Sequence, residues 1–378
     1  MTASVWYLIP ALSVGGTERT LVELANGLNK DRHDVTVWTI FEQNPLADRL
    51  ASDVRHRTLG VQGVIPNNEA RIARAERPIE YPLAPLRFIR AVRTHKPDIL
   101  QSFLFYDNVI ARIAGKTTPE TTVISGVRSV PDSQPISQAL LDRVTLPLSD
   151  YVVSNSRAGV QYVADRGASR NRIGVVPNGR NLSKYRDADS SNVRRSLGLQ
   201  ADSRLVGTVG RLIERKGQMD LLEAWPAVRS HHGDAHLVLV GDGPERETLE
   251  ARVAKMGESD TVHFLGMRED VPNLLASFDA FAFPSHFEGL PGALIEAMAA
   301  GLPIVTTPVN GNSELIENYR NGLHVSPKHP DQLAWALIRI LAEPELAASL
   351  GKQAQADAFE QYTVDRMVTA FETIYNRL

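Results

Sequence analysis

The chain has 378 residues and contains no cysteine, which excludes disulfide bridges, thiolate metal sites and a cysteine nucleophile. No apolar run approaches the roughly 20 residues that a membrane-spanning helix needs. The first apolar run, residues 5–9, is typical of a strand and lacks the basic start and cleavage site of a signal peptide. The histidines have none of the spacings of metal sites, and neither a Walker loop nor a G-x-S-x-G elbow occurs. We therefore expect a cytoplasmic protein that needs no metal and no cofactor.

The composition is that of an ordinary globular protein, with 43% hydrophobic and 22% charged residues. Its net charge of −3 hides an asymmetry, because residues 1–200 carry 26 Lys and Arg against 19 Asp and Glu, while residues 201–378 carry 15 against 25. The basic excess concentrates between residues 49 and 96. The basic segment at residues 71–96 is consistent with contact with an anionic membrane surface or a phosphate-bearing acceptor, or with a solvated helix face.

Short apolar runs alternate with helical patterns along most of the chain, which predicts parallel sheets covered by helices on both faces. The alternation breaks at residues 177–179, continues through a polar linker at residues 181–192, and then restarts. Residues 57–79 are the least regular part and are interpreted as a surface excursion. Two α/β domains are therefore expected, with ligands bound outside the carboxyl ends of the strands.

The stretch at residues 282–303 is the centre of the predicted site. A strand runs into a Gly/Pro-rich turn and then into a short helix, in which Glu296 is the only charged residue between positions 290 and 305. Glu288 lies just before the helix, and Pro291 suits the first helical position. A helix N-terminus favours anions, so the stretch predicts a diphosphate site with a carboxylate on either side. The alternative is a capped core helix whose Glu296 is hydrogen-bonded to protein.

Two further strand-to-helix junctions offer groups for a phosphate. Gly210 and Arg211 follow the strand at residues 205–209, and Lys216 opens the next helix, so that two fixed cations could neutralise a leaving diphosphate. In the first half, Gly15 and Gly16 follow the first strand and allow close backbone approach; the alternative is a helix entry with Thr17 as N-cap. A G-x-G-x-x-G fingerprint is missing there, which disfavours a nicotinamide dehydrogenase.

Taken together, these motifs resemble the retaining glycosyltransferases of family 4 (glycosyl transferases group 1). The resemblance is carried by residues 209–217, 239–246, 264–266, 284–301 and 311–314, and in the first half by residues 15–18 and 176–179. It implies a GT-B fold, in which two Rossmann-like doubly wound parallel-sheet domains face each other across a cleft. The expected division is an acceptor-binding domain at residues 1–178, completed by a returning helix at residues 361–378, and a donor-binding domain at residues 179–360.

The resemblance also implies roles for particular residues. Arg211 and Lys216 would hold the donor diphosphate, Glu296 would bind the ribose hydroxyls, and Glu288 would hold the donor sugar. The other donor-binding residues that it implies are Gly15, Gly16, Gly210, Arg268, Gly289, Leu290 and Pro291. The partners would be a nucleotide-diphosphate sugar, with UDP favoured over GDP, and a glycan or lipid-linked acceptor; no nucleic acid is expected.

The sequence departs from the family pattern at one position. Many members carry a histidine at the end of a strand in the first domain, where this chain has Arg128. We expect Arg128 to contact the donor or the acceptor instead. Two other functions stay open from the sequence: a GT-B-fold epimerase or hydrolase of nucleotide sugars, and a catalytically silent nucleotide-sugar-binding partner protein.

Overall fold

The structure of the protein is a computed structural model that describes residues 2–64, 74–75, 80–128 and 135–378. The chain divides into two compact units. Unit 1 consists of Met1–Gly179 together with Val364–Leu378, and unit 2 consists of Arg180–Thr363.

Unit 1 is built on a parallel seven-stranded sheet with the strand order β3-β2-β1-β6-β7-β8-β9, as far as the described residues show. Its strands are β1 (Ala3–Ile9), β2 (His33–Phe41), β3 (Arg55–Val61), β6 (Ile99–Ser102), β7 (Thr122–Val127), β8 (Tyr151–Ser154) and β9 (Ile173–Val175), with a separate antiparallel pair β4 (Gly63–Val64) and β5 (Arg74–Ala75). The central strands are continuous apolar runs because helices cover both faces of the sheet. Val5, for example, lies between Val35 and Ile99 on the neighbouring strands.

The helices of unit 1 include one from the far end of the chain. They are α1 (Gly16–Gly27), α2 (Glu80–His95), α3 (Phe105–Gly115), α4 (Ile136–Thr145), α5 (Arg157–Ala164) and α14 (Val364–Arg377). Helix α14 packs against α1, where a Val368 methyl group lies so close to Gly27 that any side chain at position 27 would collide with it. Phe371 and Tyr375 are buried in the same core. Helix α14 is therefore an integral part of unit 1.

Unit 2 repeats the doubly wound plan on a parallel sheet with the order β12-β11-β10-β13-β14-β15. Its strands are β10 (Arg204–Val209), β11 (Ala235–Val240), β12 (Val262–Phe264), β13 (Ala280–Phe283), β14 (Ile304–Thr306) and β15 (Leu323–His324). Its helices are α6 (Val193–Ser196), α7 (Gln218–His231), α8 (Arg246–Met256), α9 (Val271–Ser277), α10 (Gly292–Ala299), α11 (Asn310–Leu315), α12 (Pro330–Ala342) and α13 (Pro344–Gln361). Apolar clusters on the two faces of the sheet form its core.

The predicted fold class, two doubly wound parallel α/β domains, is confirmed. One local expectation was wrong: residues 57–61, assigned to an irregular excursion, belong to the edge strand β3. Most of the side chains of β3 are exposed, and only Leu59 and Val61 are buried, so the strand lacks the apolar run that marks the central strands. Residues 65–73 and 76–79 of the same excursion lie outside the described residues.

Candidate functional site

The site in unit 2 begins where β10 and β13 lie side by side. These strands pair in parallel although three helices and two strands of the chain, α7 to α9, separate them, so the loops that follow them meet at a topological switch point of the sheet. The loop after β10 is held against the loop after β13 by a hydrogen bond of 2.8 Å from the His286 N–H to the Arg215 carbonyl. Gly217 ends the first loop at φ +68°, where any side chain would collide with the Pro284 carbonyl.

This contact brings Lys216 next to Glu288. The Lys216 Nζ lies 2.5 Å from Glu288 Oε1, and the side chains are only 15% and 8% exposed. Nζ also lies 4.9 Å from the centre of the Phe283 ring, at the end of β13. The two residues that the sequence assigned to different parts of the donor are therefore one buried ion pair. Because the pair is largely removed from water, its field acts strongly on a ligand placed beside it.

Helix α10 follows Glu288 and opens towards the same place. It begins at Gly292, with Pro291 as the N-cap residue, and no side chain caps it. The expectation that Pro291 occupies the first helical position was wrong by one residue, because Pro291 has the extended ψ of 120°. Gly289 and Leu290 supply the backbone before the helix, and the Gly289 carbonyl fits against Gly311, which leaves no room for a side chain there. An uncapped N-terminus can bind an anion through its N–H groups.

Glu296 has a partner that the sequence did not reveal. Its Oε1 lies 3.8 Å from the Nε of Arg180, and both side chains are less than 10% exposed. Arg180 lies over the Cα of Gly292, where a Cβ would come within 2.4 Å of its guanidinium. The arginine therefore lies between the start of α10 and the carboxylate one turn later. Arg180 lies at the start of a polar segment after a turn, and such a segment does not predict a buried side chain. The only hint in the sequence is the glycine at position 292, which leaves room for the guanidinium.

The remaining predicted donor residues of unit 2 occupy the same edge or its border. Gly210 and Arg211 follow β10 directly; the Arg211 side chain is half-buried, and its carbonyl accepts a hydrogen bond of 2.9 Å from Gln218 Nε2. Arg268 follows β12, is exposed, and forms a two-pronged ion pair with Asp270. Lys216 and Glu288 thus lie on the two loops, and Glu296 lies on α10. Arg268 lies at the border of the site, where its side chain is paired with Asp270.

Unit 1 has its own switch point, where β1 and β6 pair. Gly15 is the N-cap of α1, so the alternative in which Thr17 caps this helix was wrong. The Glu18 side chain folds back over Gly15 and accepts a hydrogen bond of 2.9 Å from Ser13 Oγ. The space beside Gly16 is open, since a Cβ there would meet nothing within 4 Å.

Two buried carboxyl groups flank this edge of unit 1. Burial raises the pKa of Glu18. Burial also raises the pKa of Asp107 to about 7, against the opposing effect of hydrogen bonds from the N–H groups of Phe103 and Leu104. Glu18 belongs to the motif at residues 15–18, but the sequence analysis gave its side chain no role, and Asp107 belongs to no motif.

Arg128 lies at the end of β7 in unit 1. Its side chain is 8% exposed, donates a hydrogen bond of 3.1 Å to Asn178 Oδ1, and stacks 4.9 Å from the centre of the Phe103 ring. Asn178 belongs to the turn at residues 176–179 that the sequence singled out. Arg128 therefore contacts that turn and Phe103, the residue that follows β6.

A separate cavity of about 400 Å³ lies behind the loop that carries Lys216. Its lining includes the carboxylates Glu214, Asp220, Glu223 and Glu245 and excludes both Lys216 and Glu288. These four acids outnumber the single lysine of the lining, Lys328, and disfavour a diphosphate there, so the loops and α10 remain the candidate site. Within the described residues, no group of three histidine or acidic side chains is arranged to hold a metal ion. The described helices also include none with the length and apolar character to cross a bilayer.

Two family models match the chain, one in each half. Glycosyltransferase Family 4 matches residues 14–184, and Glycosyl transferases group 1 matches residues 189–357. Together they cover both switch points. The chain therefore belongs to the GT-B-fold glycosyltransferases of family 4, group 1.

Individual relatives agree with this assignment. An uncharacterized glycosyltransferase of Methanocaldococcus jannaschii is 35% identical over 49% of this chain and 47% of its own. The N-acetyl-alpha-D-glucosaminyl L-malate synthase of Bacillus anthracis is 28% identical over 74% of this chain and 72% of its own. A D-inositol 3-phosphate glycosyltransferase of Acidothermus cellulolyticus is 28% identical over 91% of this chain and 82% of its own. With several relatives the alignment spans only about half of their length.

Solved structures show the same fold. HepE of Anabaena, crystallised with UDP, superposes with a TM-score of 0.83 at 21% identity and covers 100% of both chains. WaaG, a glycosyltransferase involved in lipopolysaccharide biosynthesis, superposes with a TM-score of 0.74 at 20% identity over 98% of this chain and 99% of its own.

Proposed function

We propose that the protein transfers a sugar, with retention of anomeric configuration and without a metal ion, from a nucleotide-diphosphate donor to a hydroxyl of a glycan or lipid-linked acceptor. The observation that carries the proposal is the buried Lys216–Glu288 pair beside the uncapped start of α10, at the switch point of unit 2. An ion pair that served stability alone would not need an anion-attracting helix end next to it.

The proposed donor site divides into three parts. Lys216, Arg211 and the N–H groups at the start of α10 bind the diphosphate. Glu288 and the backbone at Gly289 and Leu290 hold the sugar, and Glu288 also keeps the ammonium of Lys216 in place. The third part is Glu296, which accepts hydrogen bonds from the ribose hydroxyls. Each carboxylate keeps a cationic partner when no donor is bound, and this offsets the cost of burying it.

In the proposed reaction, the bond between the anomeric carbon and the diphosphate oxygen breaks as the acceptor oxygen bonds to the same face of the sugar. The electron pair of the broken bond goes to the diphosphate, and a diphosphate oxygen takes the proton of the acceptor hydroxyl. Fixed positive charge on Lys216 and Arg211, together with the start of α10, stabilises the leaving group. No side-chain base is needed in this scheme.

The donor is proposed to be a UDP-sugar. Support comes from structural relatives, since HepE has been crystallised with UDP and with UDP-glucose, and from a related Escherichia coli enzyme named for its UDP-galactose donor. Thermal-shift screening with UDP, GDP, ADP and their sugars tests this choice. A larger increase in melting temperature with GDP or ADP compounds than with UDP compounds would overturn it.

The catalytic proposal is tested by Lys216→Ala and Glu288→Ala. Each variant should lower turnover about 100-fold or more while keeping a folded circular-dichroism spectrum, because each removes part of the preorganised charge around the diphosphate. The measurement is transfer of radiolabelled sugar to a panel of acceptors. The matched control is Arg215→Ala, which removes an exposed cation from the same loop and should leave the rate within about twofold of the parent.

Other outcomes distinguish the remaining functions. Release of free sugar by the parent protein in the absence of any acceptor would favour a hydrolase or epimerase. Tight nucleotide-sugar binding without turnover on any acceptor would favour a silent binding partner. Near-normal transfer by either alanine variant would contradict the roles given to Lys216 and Glu288.

The acceptor is proposed to be lipid-linked or otherwise anionic, with the basic segment at residues 71–96 at the membrane face. Of this segment, residues 71–73 and 76–79 lie outside the described residues. Relatives support it: the Escherichia coli enzyme named above acts, by its name, on a diphosphoundecaprenol-linked acceptor.

A further inference from the structure

Helix α4 of unit 1 is turned with its apolar side towards solvent. Ile136, Leu140 and Val144 recur every four residues and form one stripe along the helix, and they are 88%, 62% and 65% exposed. Leu141 beside them is 39% exposed. In an ordinary surface helix such a stripe packs onto the core. The described residues leave this stripe uncovered.

The opposite side of α4 is polar and buried. Asp142 Oδ1 accepts a hydrogen bond of 2.7 Å from Arg112 Nη1, and Thr145 Oγ1 accepts one of 3.0 Å from the same nitrogen. The Arg112 side chain is 1% exposed, and its Nε is bound by Ser125 and Ser149. A buried arginine with these partners fixes the rotation of the helix, because turning α4 over would leave a buried charge unpaired. The exposure of the apolar stripe is therefore enforced by the fold.

The neighbouring helices of the same layer extend this surface. Helix α2 packs against α3, and α3 packs against α4. Leu83 and Leu86 of α2 and Ile113 of α3 are also exposed, at 41%, 62% and 43%. Isolated exposed apolar residues are normal in proteins, but a run of them across adjacent helices marks an interaction surface.

The exposed charges on these helices all have one sign where the side chains are described. The exposed charged residues are Arg87, Arg90, Arg93 and Arg143. The only described acids of the three helices, Asp107 and Asp142, are buried. Exposed acids occur near the layer in the loops before the strands, where Glu120 and Asp150 lie within 4 Å of Lys96 and Lys116. The face therefore combines apolar side chains with uncompensated positive charge.

We propose that the outer face of α2, α3 and α4 docks on a bilayer that contains anionic lipids, with the stripe of α4 inserted at the boundary between headgroups and acyl chains. Arginines attract the negative surface, and the apolar side chains leave water on insertion. A protein partner of ordinary composition would not require a face whose described exposed charges are all positive. The inference extends the membrane contact suggested for residues 71–96 to a described helix, and it does not depend on the transferase reaction.

The test is sedimentation of the 378-residue chain with two kinds of vesicle, one of phosphatidylcholine alone and one of equal parts phosphatidylcholine and phosphatidylglycerol. We expect binding to the mixed vesicles that weakens as salt is raised. The triple variant Ile136→Ser, Leu140→Ser, Val144→Ser should reduce the partition coefficient at least about tenfold. Arg90→Ser with Arg93→Ser should reduce it and flatten its salt dependence.

Two controls make the result specific. Trp335→Ser removes an apolar side chain that is 55% exposed in unit 2, and it should bind vesicles like the parent. The triple variant should keep the parent's melting temperature and its transfer to a water-soluble acceptor, which separates this proposal from the proposed function. The inference is overturned by a parent that binds neither vesicle or by a triple variant that binds like the parent. It is also overturned by a parent dimer that the triple variant dissociates, because a second copy would then cover the face.

Discussion

Arg180 and Glu296 show how the proposed donor site tolerates buried charge before a ligand arrives. The helix around Glu296 is otherwise apolar, so an unpaired carboxylate there would be costly. Arg180 supplies the opposite charge at 3.8 Å and leaves the other carboxylate oxygen available to a ligand's hydroxyl groups. Lys216 does the same for Glu288 at 2.5 Å. Each acid thus keeps a defined orientation without giving up all of its acceptor capacity.

The ion pair of Arg180 and Glu296 predicts the effect of Arg180→Ala. This change leaves Glu296 buried without its cation and should lower the free energy of unfolding by about 3 kcal/mol. It should also weaken nucleotide binding about tenfold or more, because the carboxylate is no longer held in place. Urea unfolding and calorimetric titration with UDP measure the two effects.

The double variant Arg180→Ala, Glu296→Gln separates stability from function. Removing the charge of Glu296 should recover much of the lost stability, since no buried carboxylate is left unpaired. Nucleotide affinity should stay low, because an amide accepts fewer hydrogen bonds than a carboxylate. Full recovery of both quantities would show that Arg180 serves stability alone.

At the scale of secondary-structure elements, the sequence predicted most of the fold because buried parallel strands are apolar runs. The same rule explains the failure at β3, whose exposed residues Arg55, His56 and Arg57 resemble those of a loop. For the site, the glycines and the charges after β10 and β13 were predicted to meet, since parallel strand ends share an edge. The partners of the two glutamates were not predictable, because ion pairing depends on how loops pack and not on spacing.

The packing of the loop after β10 against the loop after β13 depends on the close approach of Gly217 to Pro284. This approach predicts the effect of Gly217→Ala. The added Cβ would lie 2.1 Å from the Pro284 carbonyl oxygen, at a backbone φ of +68°. The loops must then separate, which should destabilise the protein by about 1–3 kcal/mol and weaken UDP binding by moving Lys216 away from Glu288. Thermal unfolding and calorimetric titration test both effects.

Gly233→Ala is the matched control for that substitution. Gly233 lies in the same unit, and a Cβ there meets no atom within 4 Å. The control should keep the parent's melting temperature and UDP affinity. Equal behaviour of the two variants would contradict the role given to the contact between the loops.

At the scale of the whole molecule, the proposed donor site gathers positive charge in a half of the chain that is acidic. Residues 201–378 carry 15 Lys and Arg against 25 Asp and Glu, a net charge of 15 − 25 = −10. Arg211 and Lys216 of this acidic half nevertheless lie together on the loop after β10, and Arg180, from the preceding part of the chain, lies against the start of α10. Cations gathered at one edge of an acidic unit are what the proposed diphosphate ligand requires.

This local charge predicts that transfer does not depend on a divalent metal ion. A diphosphate leaving group needs about two positive charges to balance it, and Lys216, Arg211 and the N-terminus of α10 supply them in fixed positions. Addition of EDTA should leave the initial rate of sugar transfer within about twofold of its value in buffer, whereas Lys216→Ala should lose about 100-fold under both conditions. A rate that EDTA abolishes and Mg²⁺ or Mn²⁺ restores would show that the cations of the chain are insufficient. A Lys216→Ala variant rescued by added Mg²⁺ would show that a metal ion can take over the charge that the lysine provides.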